Sequence, residues 1–204
     1  MTDKISRYLV LRLLGISMIV LLMQPLGAAE KTSPKEVYTG TVVAIGGVSG
    51  PSRMVSGTFN LTITDYTSDE DAQRFLITLA EEKQDGLLKA MRKENKGSFA
   101  IGGQVGRQVN IVRATEVDGK RRLVVAFERW LKMAEVRAGA RSQDYPIGIV
   151  ELFVGPDGTG EGTYIGAAKV SWKVDEKTAK KTVEIENFGT YPARLIGVTR
   201  HNTK

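Results

Sequence analysis

The sequence predicts a mainly β protein: an antiparallel β-barrel or β-sandwich of about eight strands with one helical insertion. Three observations lead there. Most of the chain alternates apolar and polar residues in short β-branched runs. The runs are joined by Gly-, Pro- and Asp-containing connections, mostly too short for a crossover helix, so neighbouring strands must pair antiparallel. Only residues 68–95 depart from this, with apolar side chains spaced three and four apart.

Residues 1–29 read as an export signal of bacterial type rather than as part of the fold. Lys4, Arg7 and Arg12 give a positive start, "LLGISMIVLLM" is a short apolar run, and "QPLGAA" supplies a helix break followed by small residues. The run is about half the roughly 20 residues needed to span a bilayer, so no integral membrane span is expected after cleavage behind Ala29. Residues 30–35 form a polar linker and residues 36–204 a single β-rich domain, placing the mature protein in the periplasm or outside the cell.

The first expected hairpin joins residues 37–48 to residues 54–66 through Ser49-Gly50-Pro51-Ser52. In the second run Phe59, Leu61 and Ile63 share one face, and Asn60, Thr62 and Thr64 the other. The helical insertion opens on Ser68 as N-cap, with Asp69, Glu70 and Asp71 in the first turn, where they favour the helix dipole. Ala72, Phe75, Leu76 and Leu79 make one apolar stripe. It falters at Gln84-Asp85-Gly86 and resumes at Leu87, Leu88 and Met91, giving one kinked or two short helices laid across an open end or face of the sheet. The stripe reads first as core, and in a functional reading as a lid over a cavity.

Strands resume at residues 98–104 and 108–117. Asp118-Gly119 tolerates the positive φ angles of a type I′ turn. That turn sets Glu116 opposite Arg121, Ala114 opposite Leu123 and Val112 opposite Val125, with charges at the tip and apolar pairs further down. The next strand runs to Trp130, and residues 131–141 fit neither period. Four more strands are expected at 147–154, 163–174, 182–187 and 193–200.

The stretch "VGPDGTGEGTY" looks at first like a ligand loop, but a phosphate cradle requires a lysine and a following helix, and a strand follows here. Asp157 and Glu161 lack the acidic spacing of a calcium loop. Pro156-Asp157-Gly158 is therefore read as a hairpin turn, with the later glycines marking a bulge or a close strand approach.

Composition restricts the chemistry. With no cysteine, thiolate nucleophiles, thiolate metal sites and disulfides are unavailable. The single histidine, His201, lies four residues from the end, where chains commonly fray, so neither a zinc site nor a Ser-His-Asp triad is expected. No cofactor is expected either. The formal charge of +6 falls to +4 without Lys4, Arg7, Arg12 and Asp3, and the remaining cations alternate with acids, which disfavours nucleic acid as a partner. Aromatic residues make up only 7% of the chain and the C-terminus is polar, which disfavours an outer-membrane barrel.

Two sets of residues remain as functional candidates. Trp130, Tyr145, Tyr164 and Trp172 could line a pocket for an apolar ligand or a glycan. Glu128, Glu135, Asp144 and Glu151 are the acidic residues from which a paired-carboxylate hydrolase would draw. The favoured expectation is an exported, non-catalytic binding or interaction module of the cell envelope, holding a small molecule, a glycan or an envelope protein. A carboxylate hydrolase and a structural part of an envelope assembly are the alternatives. The segments "GQVGRQVNIVRATEVDGKRRLVV", "GPDGTGEGTYIGAAKVSW" and "VEIENFGTYPARLIGV" resemble an uncharacterised group of exported bacterial β-rich proteins over roughly the mature chain. That resemblance implies the compartment and the domain, and carries no site residue.

Overall fold

The structure is a computed structural model, and it describes residues 35–46, 53–129, 141–174, 181–188 and 191–202. The expected export signal, almost all of the expected linker, Trp130, Glu135 and nearly all of the unclassified 131–141 stretch lie outside the described residues.

Ten antiparallel strands and one long helix, α1, make up the fold among the described residues. In chain order these are β1 (Glu36–Gly46), β2 (Arg53–Ile63), α1 (Asp69–Met91), β3 (Gly97–Ile101), β4 (Arg107–Val109), β5 (Ile111–Val117) and β6 (Lys120–Glu128). A 3-10 turn (Arg141–Asp144), β7 (Ile147–Val154), β8 (Thr159–Val174), β9 (Lys181–Asn187) and β10 (Ala193–Asn202) follow. The sheet runs β4-β3-β2-β1-β10-β8-β7-β6-β5, with β9 paired to β8 off this path. No helix among the described residues is long and apolar enough to cross a membrane.

The sheet is a nearly closed barrel rather than a sandwich, and Asn110 is its hinge. β4 and β5 form the two ends of the sheet yet are separated in sequence by this one residue. The Asn110 backbone N–H donates to Ala126 O at 3.0 Å and its side-chain amide donates to Glu94 O at 2.9 Å. Its Oδ1 accepts from Glu128 N at 3.1 Å. The expected single strand over 108–117 is therefore bent, so that one run of chain pairs with β3 before the corner and with β6 after it. Counting that run once and leaving out β9, eight strands surround the interior.

The turn chemistry holds as expected. Asp118 and Gly119 take φ of 51° and 72°, and the β5–β6 register pairs Glu116 with Arg121, Ala114 with Leu123 and Val112 with Val125. The glycine-rich stretch is a hairpin turn into β8, which starts at Thr159, four residues earlier than its alternation suggests. A Cβ on Gly160 would stand 2.1 Å from Phe153 O, and one on Gly162 2.1 Å from Glu151 O, so the β7 backbone occupies the space a side chain would need.

Alternation along the strands divides the apolar residues between two cores. Leu123, Val125 and Phe127 of β6 and Val150, Leu152 and Val154 of β7 point into the barrel, with Tyr38, Leu61, Phe99 and Leu195. Ala126 of β6, with Ile147 and Ile149 of β7, points outward, and α1 covers these with Phe75, Leu79, Leu87, Leu88 and Met91. The second half of β8 and its partner β9 extend past the barrel and complete this outer layer through Ala168, Val170, Val183 and Ile185. The helical insertion thus lies on a face of the sheet, as one kinked helix with the break at Lys83 (φ 61°, ψ −160°).

Candidate functional site

The outer layer is incompletely filled. Between α1, the outer face of β5 to β7 and the β8–β9 hairpin lies an apolar cavity of about 90 Å³. Ala72, Phe75, Leu76, Leu79, Leu87 and Met91 form its roof, with Ala126, Ile147 and Ile149 among its floor residues and Val170, Val183 and Ile185 at the hairpin side. The barrel interior beneath is packed with side chains.

One charged residue stands in this wall. Arg113 of β5 lines the cavity with its side chain only 4% exposed. Its Nη1 donates to Thr67 O at 2.7 Å and its Nη2 to the Asp69 carboxylate in the first turn of α1. Its Nε is buried without an acceptor. The sequence reading missed Arg113, because strand alternation puts it on an outward face that reads as solvent. Only the covering helix makes that face an interior.

Polar contacts fix the helix over the cavity. Just after the kink, the Gln84 amide accepts from Val170 N at 2.9 Å, on the part of β8 that extends beyond its pairing with β7, and donates to Asp144 O at 3.1 Å. At the helix end Arg92 reaches Glu128 with two bonds, 2.7 and 2.6 Å. The backbone break at Lys83, unfavourable for a residue with a Cβ, is held in place by this Gln84 bridge.

A second opening, of about 200 Å³, lies at one barrel mouth, where Phe99, Phe127 and Tyr164 form the floor and Gln104, Arg107 and Arg129 join the rim. Phe99 lies 5.3 Å from both the Phe127 and the Tyr164 rings. Burial pushes the Tyr164 hydroxyl above the usual tyrosine range, against the pull of Arg129 and Arg107. At the opposite end of β6 the barrel is closed by the buried Glu36, whose carboxylate accepts from Tyr38, Tyr66, Arg121 and Arg200.

The structure puts the described members of the expected aromatic set in three different surroundings. Tyr164 is in the barrel mouth. Trp172 sits on the β8–β9 hairpin, half-buried against the outer layer. Tyr145 is buried beside Phe188, with its hydroxyl donating to Glu186. Among the carboxylates, Glu128 is paired with Arg92 and Glu151 with Arg122. Both lie on the outward face, but Glu151 stands opposite Val124, four residues along β6 from Glu128. That is roughly 13 Å along the strand, longer than the span of a glycosidase pair. Asp144 ends the 3-10 turn, with its backbone carbonyl engaged by Gln84. His201 is held in β10 opposite Val37, its Nε2 2.8 Å from Thr39 Oγ1, rather than in a frayed tail.

Among the described residues no group of His, Asp and Glu side chains is arranged to hold a metal ion. No known protein family, curated protein or solved structure matches the chain.

Proposed function

We propose that the protein is an exported, non-catalytic binding module of the bacterial cell envelope that holds a small apolar molecule beneath α1. The observation that carries this reading is the almost wholly apolar lining of the cavity in the outer layer, in contrast to the polar-rimmed opening at the barrel mouth. An unfilled apolar space costs dispersion contacts on every side, and an apolar guest restores them. At about 90 Å³ the cavity is smaller than the roughly 150 Å³ void that admits benzene. It therefore suits a short aliphatic group, or one end of a longer chain if the kinked helix rides outward. The export reading rests on the positive start, short apolar run and small residues of segment 1–29.

The test is extraction of the purified protein into organic solvent followed by mass spectrometry, alongside the Ala126→Ile variant, which fills the floor of the cavity. A co-purifying apolar compound near one equivalent, lost in the variant, is the expected result. Wild-type protein that carries no such compound and takes up no small hydrocarbon would refute the reading.

A further inference from the structure

We propose that the barrel mouth is a second binding site, independent of the cavity beneath α1, and that it takes a small organic anion with a flat apolar body, such as an aromatic carboxylate. The opening measures about 200 Å³, more than the roughly 150 Å³ void that admits benzene, so one ring and its carboxylate fit within it. Its rim is polar and open to solvent, with Gln104 exposed and Arg107 and Arg129 half-buried. A ligand therefore reaches these groups from outside.

Charge gives the ligand its sign. Among the described residues that line the opening, Arg107 and Arg129 are cations and none is an acid. They come from different parts of the chain, β4 and the end of β6, and both pull on the Tyr164 hydroxyl of β8. Two guanidinium groups and a phenol hydroxyl therefore share one patch of the mouth. Arg129 is held there by Tyr145 O, which accepts from its Nε at 2.7 Å, and by Ser142 O, which accepts from its Nη2 at 2.6 Å. Those neutral carbonyls orient the guanidinium without themselves cancelling its charge. Burial lowers the Arg107 pKa, because lost water disfavours its charged form, and an anion beside it offsets that cost. A carboxylate accepts charge-assisted hydrogen bonds, about twice as strong as those a neutral group makes. A cationic ligand is repelled.

The apolar body follows from the floor. Phe99 and Phe127 are almost wholly buried and back the Tyr164 ring, which stacks on Phe127 with an interplanar angle of 15°. The ring of the ligand then rests against Tyr164, Ile101 and Val105. Val105 is 78% exposed at the entrance, and a bound ring covers it.

The experiment titrates four probes, benzoate, benzyl alcohol, benzylamine and acetate, into the full chain labelled for methyl NMR. Benzoate should shift Ile101 and Val105 together and leave Leu79 and Ile149 beneath α1 unmoved. Benzyl alcohol and acetate, which lack the charge and the ring respectively, should each bind about tenfold more weakly, and protonated benzylamine should move neither signal. Arg107→Gln should weaken benzoate about tenfold and leave benzyl alcohol unchanged. If that variant does not fold, the four titrations of the wild-type protein still decide.

Equal binding of benzyl alcohol and benzoate would overturn the anionic group, and equal binding of acetate and benzoate the flat apolar body. Benzoate that leaves Ile101 and Val105 unmoved would overturn the site itself. Since Leu79 and Ile149 report on the cavity beneath α1, failure at the mouth and failure of the binding reading above are seen separately.

Discussion

The barrel interior and the layer beneath α1 are both built from apolar side chains but are packed to different standards. Inside the barrel, aromatic rings pack at tilted angles: Phe99 lies 6.1 Å from Phe59 and 5.3 Å from both Phe127 and Tyr164. The hydrogen-bonded ladder fixes where each inward side chain starts, and an eight-stranded barrel is just narrow enough for such side chains to fill. In the outer layer the helix is positioned by side chains alone, mostly aliphatic, with a strained break at Lys83, and a cavity remains. A ladder leaves little freedom for slack, whereas a helix resting on a sheet face can stand off from it. Binding capacity is therefore expected where the ladder ends.

The comparison predicts unequal costs of truncation. Phe127→Ala should cost about 3–5 kcal/mol in urea unfolding, since the ring is 1% exposed and contacts two other rings. Leu79→Ala should cost about 2 kcal/mol, the low end for a buried leucine, because part of its surroundings is already empty. Equal costs would mean that the two regions are packed alike.

The closed end of the barrel can be set against its mouth by alkaline titration. Burial first, and then the Glu36 carboxylate to which both hydroxyls donate, raises Tyr38 and Tyr66 above the ordinary tyrosine range. A raised folded-state pKa contributes stability that is intact below the unfolded value near 10 and is lost as pH climbs beyond it. Stability should therefore decline above about pH 10, with each such tyrosine adding about 1.4 kcal/mol per pH unit to the slope. Tyr38→Phe should flatten that slope, measured by urea unfolding across the alkaline range. An unchanged slope would show that the Glu36 cluster does not govern it.

Smaller effects probe how the helix is held. Gln84→Ala leaves the Val170 N–H without its side-chain acceptor and should cost about 1 kcal/mol. Amide exchange at Val170 should accelerate, while exchange at Val150 in the barrel stays slow. Ala126→Ile should stabilise by about 0.5–1 kcal/mol in the same unfolding assay, as cavity filling commonly does. A destabilising Ala126→Ile would mean that the layer has no usable space.

Much of the fold was legible because its signals are local. Asp118-Gly119 set a register that holds across β5 and β6, and the faltering stripe near Gln84 marked the break at Lys83. Barrel closure was harder to see, because it depends on a corner of one residue. Its trace is a slip of parity: Val109 before Asn110 and Val112 after it both face the barrel, three apart rather than two or four. The length of β8 was obscured by glycines whose role is set by the β7 backbone beside them. Of the site, the apolar stripe of α1 was visible, but that it stands off from the sheet is a matter of three-dimensional fit. The role of Arg113 depends on a helix that precedes it in sequence by more than twenty residues and returns over its face.

Methyl-resolved NMR under xenon pressure tests the central claim most directly, since xenon enters dry apolar cavities. Saturable shifts at Leu79, Leu87, Ile149 and Val170 are expected, with Leu123 and Leu152 inside the barrel unmoved. Shifts of equal size inside the barrel, or no saturable response beneath α1, would contradict the account.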